Sequence, residues 1–425
     1  MTFQKKLSTA LLIVAILIQS SIYAQSFTET QPEDVGFSSQ RLEYLTQTFE
    51  GFVEDDALPG SVILVARNGE IAYYKAFGKR DIEQNEPMEK TDIFRIASQT
   101  KATVSVGIMI LQERGLLTIS EPVGKYIPEF NKTTVAVSDQ DGGYTVENAN
   151  RAITIRDLLT HTSGIGYGNG IAADKWKEAG IQGWYFADRK EPILETVKRM
   201  AKLPFDAQPG EKFVYGYSTD ILGALIEVVS GENLKDFLTK NLFEPLQMND
   251  THFYLPKDKK DRLAVVYSAT ETGIEKAPTP GKMVGQGAYL KGPRVSYSGG
   301  AGLLSTACDY GRFLQMLLNQ GTLDGKRILS RKSVELMTVD HISNIKFPWD
   351  NGTGFGLGFS IVKDLGTRGT MGSVGEFGWG GAYHSSYWVD PSENMVAVYL
   401  TQVIPSKISE DHQKLPILIH QAIVD

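Results

Sequence analysis

The sequence predicts a mixed α/β fold of the α+β kind, an antiparallel sheet flanked by helices and interrupted by an inserted, mostly helical domain. Three observations lead there. SVILVAR and EIAYYKAF flank Asn68-Gly69, the strongest short-range signal for a two-residue hairpin. FRIASQTKATVSVGIMILQERG, residues 94–115, reads as a helix apolar on nearly every face, which belongs in the middle of a domain. GFGLGFSIV, GWGGAYHSSYWVDP and NMVAVYLTQV supply further strand material near the C-terminus, with helical periodicity lying between the two strand-rich ends.

With 425 residues, 42% hydrophobic and 22% charged, the chain has the size and balance of a folded globular protein. Residues 1–24 carry Lys5 and Lys6, an apolar run from Ala10 to Ile18 and a small-residue end, and are expected to be a signal peptide cleaved after Ala24. The apolar run is too short to span a bilayer comfortably, so no stable membrane insertion is expected after cleavage. Removing Lys5 and Lys6 takes the formal charge from −7 to −9, and the remaining basic residues are scattered, which argues against nucleic-acid binding. Cys308 is the single cysteine and forbids an internal disulfide. Residues 25–130 and 290–425 are expected to form one discontinuous α/β domain, and 131–289 the insertion.

In order, Ser38 or Ser39 caps a helix with Leu42, Leu45, Phe49, Phe52 and Val53 at helical spacing, stopped by Pro59-Gly60. The hairpin and the apolar helix follow. Residues 131–150, with Asp139, Asp141, Gly142 and Gly143, suggest a surface loop. Thr154-Ile155-Arg156-Asp157 has capping-box spacing before a short helix. From Gly164 to Gly183 the chain is glycine-rich with Tyr167, Trp176 and Trp184 close by, composition suited either to a cleft or to a core. Helices are predicted over 192–202, 218–229 and 234–242, an irregular connection over 255–297, and helices over 309–319, 330–339 and 412–424.

The chemistry centres on Ser98. Lys101 lies at i+3, one helical turn along on the same face, so amine and hydroxyl can meet at a buried helix start. A serine hydroxyl must hand its proton to a base as it attacks, and an ammonium in an apolar setting is destabilised, which suits Lys101 to that task. On these residues alone an ordinary N-cap serine with an outward lysine is an equal reading. A second Ser-x-x-Lys, Ser343 to Lys346, runs into Phe347-Pro348-Trp349 and cannot open a helix. Tyr215, in PGEKFVYGYSTDILG, stands on an extended segment entering a helix, where a phenol can serve proton transfer or simply pack in the core. Gly380 and Gly381, between Trp379 and Ala382, let a ligand approach a strand, and an edge strand there could aim an N–H at a carbonyl oxygen. His161 reads as a core histidine satisfied by a hydrogen bond, and His384 as a residue touching the cleft. The six histidines show no close paired spacing, so no metal and no cofactor is expected.

Taken together, PGSVILVARNG, FRIASQTK, ITIRDLLTHTSGIGYG, PGEKFVYGYSTDILG, SGGAGLLSTACDYGRFL and GWGGAYHSSYWVDP occur in an order that resembles the serine β-lactamase and penicillin-binding-protein superfamily, in its class C-like esterase branch. The resemblance implies a β-lactamase/transpeptidase-like fold, Ser98 as acylated nucleophile, Lys101 and Tyr215 as the proton-transfer pair, and the N–H groups of Ser98 and Ala382 as the oxyanion hole. Two departures bear on substrate. The family's Tyr-x-Asn reads Tyr215-Gly216-Tyr217, and its Lys-Thr-Gly reads Trp379-Gly380-Gly381, so the groups that would grip a β-lactam amide and carboxylate are replaced. Each lost charge-assisted hydrogen bond is worth about 1.5–3 kcal/mol. The expected function is therefore a periplasmic or secreted serine hydrolase cleaving a small-molecule ester or amide. Tyr217, Trp379, Gly380, Gly381 and His384 are expected to contact substrate. A β-lactamase or D-amino-acid peptidase is the alternative on the same fold, and a non-catalytic ligand-binding protein the alternative of another class. Oligomeric state is not encoded in these patterns.

Overall fold

The computed structural model describes residues 27–271, 273–349 and 351–425, so the expected signal peptide lies outside the described residues. Its centre is an eight-stranded antiparallel sheet. From one edge the strands run Thr353–Phe355, Ser360–Val362, Phe377–Gly381, Ser385–Asp390, Met395–Thr401, Gly60–Arg67, Glu70–Asp81 and Glu86–Pro87. The N-terminal hairpin is thus zipped onto the last strand, with Val62 opposite Leu400 and Leu64 opposite Val398. Asn68 and Gly69 both take positive φ (55° and 86°), the pair of left-handed residues that a two-residue turn matching strand twist requires.

Gly60–Arg67 is buried along its whole length because both sheet faces are covered. On one face Ile63, Val65, Ala397 and Tyr399 meet Leu42, Leu45 and Phe49 of the Ser39–Glu54 helix and Leu415 and Ile419 of the Glu410–His420 helix. Ser38 caps the first of these by accepting from the Arg41 N–H. On the other face Val62, Leu64 and Val398 join a larger core with the Ala307–Leu318 and Thr100–Glu113 helices. Thr100–Glu113 is buried from Thr100 to Leu111, as its all-round apolar sequence demands, and Gly115 (φ 69°) follows its end. Ser218–Ser230 packs against it closely enough that a Cβ on Gly107 would lie 2.9 Å from Ile226 Cδ1.

Several boundaries differ from the sequence reading. Residues 131–150 are not a plain loop: Thr134–Ser138 pairs with Tyr144–Asn148, and Pro204–Phe205 adds a third strand. The aspartates and glycines that signalled a loop are the hairpin's turn, and they hid two short strands of mixed polarity. Over 234–242 the α-helix stops at Leu238 and continues as a π-turn, Thr239–Phe243. The last helix is Glu410–His420, two residues earlier than its periodicity suggested and ending before Val424. The capping box at Thr154 and Asp157 is present in both directions. No helix among the described residues is long and apolar enough to cross a membrane.

Short pairings fix the segment just before the buried helix. Phe94–Arg95 pairs with Leu304–Ser305, and Leu304 bridges in turn to His252. His252 is largely buried beside Lys259 Nζ (3.2 Å), and burial followed by that charge pushes its pKa down from 6.5 to about 4. Because the folded state binds this proton less readily than the unfolded chain, its contribution to stability is complete above pH 6.5 and is lost as pH falls towards 4. Denaturant unfolding at pH 7 and pH 4.5 is expected to show a loss on acidification that His252→Gln reduces by about 2–3 kcal/mol. An equal loss in the variant would assign the acid sensitivity elsewhere.

Candidate active site

Ser98 does not cap the Thr100–Glu113 helix. It occupies a 3-10 turn, Ala97–Gln99, that leads straight into it, and Ala97 holds a left-handed φ of 42°. A non-glycine residue in that region costs on the order of 1–3 kcal/mol and persists only where surroundings enforce it. Here Ile96 N–H donates to Leu303 O (3.1 Å), Leu303 N–H donates to Thr100 Oγ1 (3.0 Å), and the Tyr310 hydroxyl donates to Gln99 O (2.9 Å). The Ser98 turn is clamped on both sides.

Lys101 is 2% exposed, and the outward-lysine reading is excluded. Its Nζ donates to Ser98 Oγ at 3.1 Å, to the Tyr167 hydroxyl at 3.1 Å and to Gly300 O at 2.8 Å, so all three donors of the ammonium are used. Gly300 is held in place by Asp220, a buried carboxylate at the start of Ser218–Ser230 whose Oδ1 accepts from Gly300 N–H (3.0 Å) and Ser298 Oγ (2.6 Å). Burial raises the Asp220 pKa, with the Ser298 hydrogen bond and the Lys101 charge opposing. Burial also pushes the Tyr167 phenol well above 10, so it is a neutral partner of the amine.

Tyr215 stands differently from the expectation. Its hydroxyl accepts from Trp379 Nε1 at 2.9 Å, and it is the face of its ring, 4.7 Å away, that meets Lys101 Nζ. The phenol bonded to the amine is Tyr167, from the glycine-rich stretch that composition left open between cleft and core. Its local signal was weak, because nothing in the spacing of Gly164 to Gly183 ties that loop to residue 101. Tyr217 is corrected outright: it is fully buried, donates to Gly183 O at 2.7 Å and stacks on Trp176 at 5.7 Å, two positions from Tyr215 but in the core. His161 is buried, but not through a satisfied ring. Its Nδ1 has no partner among the described residues, the ring packs against Tyr215 at 4.7 Å, and burial followed by the Lys101 charge lowers its pKa well below 6.5.

Phe377–Gly381 is an inner strand of the sheet rather than its edge. Pairing with Ser360–Val362 nevertheless ends at Gly378, which leaves Trp379–Gly381 open on that side. A Cβ on Gly381 would fall 2.5 Å from Ile96 O, so only glycine lets the strand lie against the Ser98 turn. The backbone N–H groups of Ser98 and Ala382 both lack acceptors among the described residues. Both residues line a cleft of about 1050 Å3 together with Trp379, Gly380 and His384. Its walls add aromatic residues that sequence patterning did not single out for the site, Phe347 and Trp349, with Trp349 5.6 Å from Trp379 and 6.1 Å from Tyr215. The guanidinium that lines the cleft, Arg368, is paired with Glu376 at 2.7 Å. Histidines far apart in sequence do meet: possible ligand atoms of His384, Asp411 and His412 lie within 4.8 Å of one another, as do those of Glu376, Asp390 and His420. In the first group the Asp411 carboxylate is already engaged by His384 and by the Tyr399 hydroxyl.

The model of the Beta-lactamase family matches residues 45–416. Protein Rv1367c of Mycobacterium tuberculosis is 34% identical over 360 residues, covering 82% of this chain and 86% of that protein. Esterase EstB of Burkholderia gladioli is 31% identical over 376 residues, covering 84% and 89%. Among solved structures, EstCE1, described as a hydrolase with promiscuous acyltransferase activity, superposes with a TM-score of 0.75 at 26% identity over 91% of this chain and 99% of that one.

Lys101→Met keeps the stem and removes the charge. Labelling of Ser98 by a fluorophosphonate, followed by intact mass, is expected to slow about a hundredfold or more in this variant and at least about tenfold in Tyr167→Phe. Wild-type labelling rates in both would show that neither group acts on the serine.

Proposed function

Since the chain belongs to the Beta-lactamase family and is a serine hydrolase of that fold, we propose that it cleaves carboxylic esters through an acyl-enzyme on Ser98. The observation that carries this reading is Ser98 Oγ 3.1 Å from the buried Lys101 amine, opening onto an aromatic cleft beside two N–H groups without acceptors among the described residues.

In this reading the resting amine donates to three acceptors, and the attacking form is reached when one of its protons has left. Ser98 Oγ then adds to the ester carbonyl carbon while its proton passes to Lys101 Nζ. The oxygen of the tetrahedral intermediate accepts from the N–H groups of Ser98 and Ala382. Collapse breaks the bond to the alcohol, which leaves with the proton relayed through Lys101 and Tyr215. Tyr215 suits the leaving-group side because Trp379 Nε1 fixes its hydroxyl at the cleft surface. Tyr167, bonded to Nζ through its hydroxyl, orients the amine.

The cleft favours uncharged esters over β-lactams. Tryptophan stands at 379 where a cation would meet a β-lactam carboxylate, and Arg368 is neutralised by Glu376. Export to the periplasm or the medium belongs to the same proposal and rests on residues 1–24. A mature N-terminus at or next to Gln25 in protein recovered outside the cytoplasm would support it, and an intact leader would refute it.

With p-nitrophenyl acetate and butyrate the purified protein is expected to turn over, Ser98→Ala to be inactive and Tyr215→Phe to be slower by about a hundredfold or more. Full activity in Ser98→Ala would end the reading. Nitrocefin turnover equal to that of the esters would move the assignment to a β-lactamase, and failure of Ser98 to label with any acylating probe would move it to a ligand-binding protein.

A further inference from the structure

Besides the aromatic residues around Trp349 and Trp379, the cleft is lined by Val403, Ser406, Ile408 and two imidazoles, His384 and His412. His384 sits in the turn between Phe377–Gly381 and Ser385–Asp390, two residues beyond Ala382, with its N–H on Gly381 O at 3.0 Å and a left-handed φ of 65°. The next residue ties this turn to the nucleophile: Ser385 Oγ accepts from Gln99 Nε2 at 3.1 Å, and Gln99 adjoins Ser98. His384 is therefore carried on the same short segment that offers the oxyanion N–H.

Its ring is held from behind. His384 Nε2 lies 2.8 Å from Asp411 Oδ2, which also accepts from the Tyr399 hydroxyl at 2.7 Å, while Asp411 Oδ1 accepts from His412 N–H at 2.8 Å. Asp411 is fully buried. Burial opposes its ionisation, yet the hydrogen bonds from His384 and Tyr399 outweigh it and keep the carboxyl below its usual range. With Nε2 committed to a carboxylate as donor, Nδ1 is the ring nitrogen left with a lone pair. His412 stacks edge-on against His384 (4.3 Å, 89°), and burial brings its pKa to about 4, so at neutral pH it walls the pair without adding charge. A buried acid that orients an imidazole at a reacting centre is the arrangement by which a histidine becomes an effective proton acceptor.

We propose that His384, positioned by Asp411, is the proton acceptor for the second half of the reaction, taking the proton of the hydroxyl that attacks the acyl-enzyme. That hydroxyl is water in hydrolysis or a small alcohol in acyl transfer. The proposal rests on the reading of Ser98 as the acylated residue. The attacking oxygen bonds to the acyl carbon as its proton moves to His384 Nδ1, and the carbonyl oxygen becomes an oxyanion at the Ser98 and Ala382 N–H groups. Collapse breaks the carbon–Oγ bond, and Oγ recovers a proton through Lys101. The proton on His384 is released to solvent as Lys101 regains one, which closes the balance. Two bases then divide the cycle, Lys101 for acylation and His384 for deacylation.

The test separates the two halves on the whole mature protein with p-nitrophenyl butyrate, reading acylation from the burst of p-nitrophenol and deacylation from decay of the acyl adduct by intact mass. In His384→Ala the burst rate is expected to stay within about threefold of wild type while adduct decay slows about a hundredfold, with added imidazole restoring part of the loss. His384→Gln, which keeps a donor for Asp411 but has no basic nitrogen, is expected to show the same slow decay and guards against misfolding of the alanine variant. Asp411→Asn should slow the same step less and gain nothing from imidazole, as befits a positioning residue. Adduct decay at the wild-type rate in both His384 variants would overturn the proposal while leaving the Ser98 reading intact. A wild-type protein that forms no adduct would overturn both.

Discussion

The site depends on a lysine amine taken almost wholly out of water. Isolated, an ammonium in that setting is among the most costly groups a fold can bury. Here the cost is offset because three acceptors converge on Nζ from Ser98, Tyr167 and Gly300, two of them far from Lys101 in sequence. Loss of any one leaves a buried donor unpaired, so the geometry around Ser98 is enforced by the need to satisfy the amine.

The rest of the architecture delivers those acceptors. The Gly300 carbonyl is presented because Asp220, at the head of a buried helix, gathers the Ser298–Gly300 segment by its own hydrogen bonds. The Ser98 turn is held in a strained conformation by the segment around Leu303 and Tyr310, packed on the same sheet face. Gly381 lets the inner strand approach Ile96, and Ala382 and Ser98 line the same cleft. A sheet joined from both ends of the chain is a rigid base for this convergence, since Gly60–Arg67 and Met395–Thr401 are paired along seven consecutive positions.

Trp379 organises one side of the cleft. Its indole N–H orients the Tyr215 hydroxyl, and its ring continues an aromatic wall through Trp349. Elsewhere in the lining His384 and His412 stand against a buried aspartate.

Much of this was legible in sequence, and the residues show why. The Asn68-Gly69 hairpin, the capping box at Thr154 and the all-round apolar helix after Ser98 are local patterns, governed by backbone sterics and by periodic burial within a dozen residues. Ser98 and Lys101 share one helical turn, so their meeting was written into their spacing, and the ordered motifs indicated the family. Tyr167, Phe347, Trp349 and the Asp411 partner of His384 carried no such mark, and Tyr217 was misplaced into the cleft because a two-residue offset from Tyr215 does not say which way a side chain turns at a helix entrance. Sequence alone determined most of the elements and the meeting of Ser98 with Lys101, because both follow from short-range periodicity. Only tertiary structure decided which phenol meets the amine and which histidine meets an acid, because those pairs are made by long-range packing, where distance along the chain carries no information about distance in space.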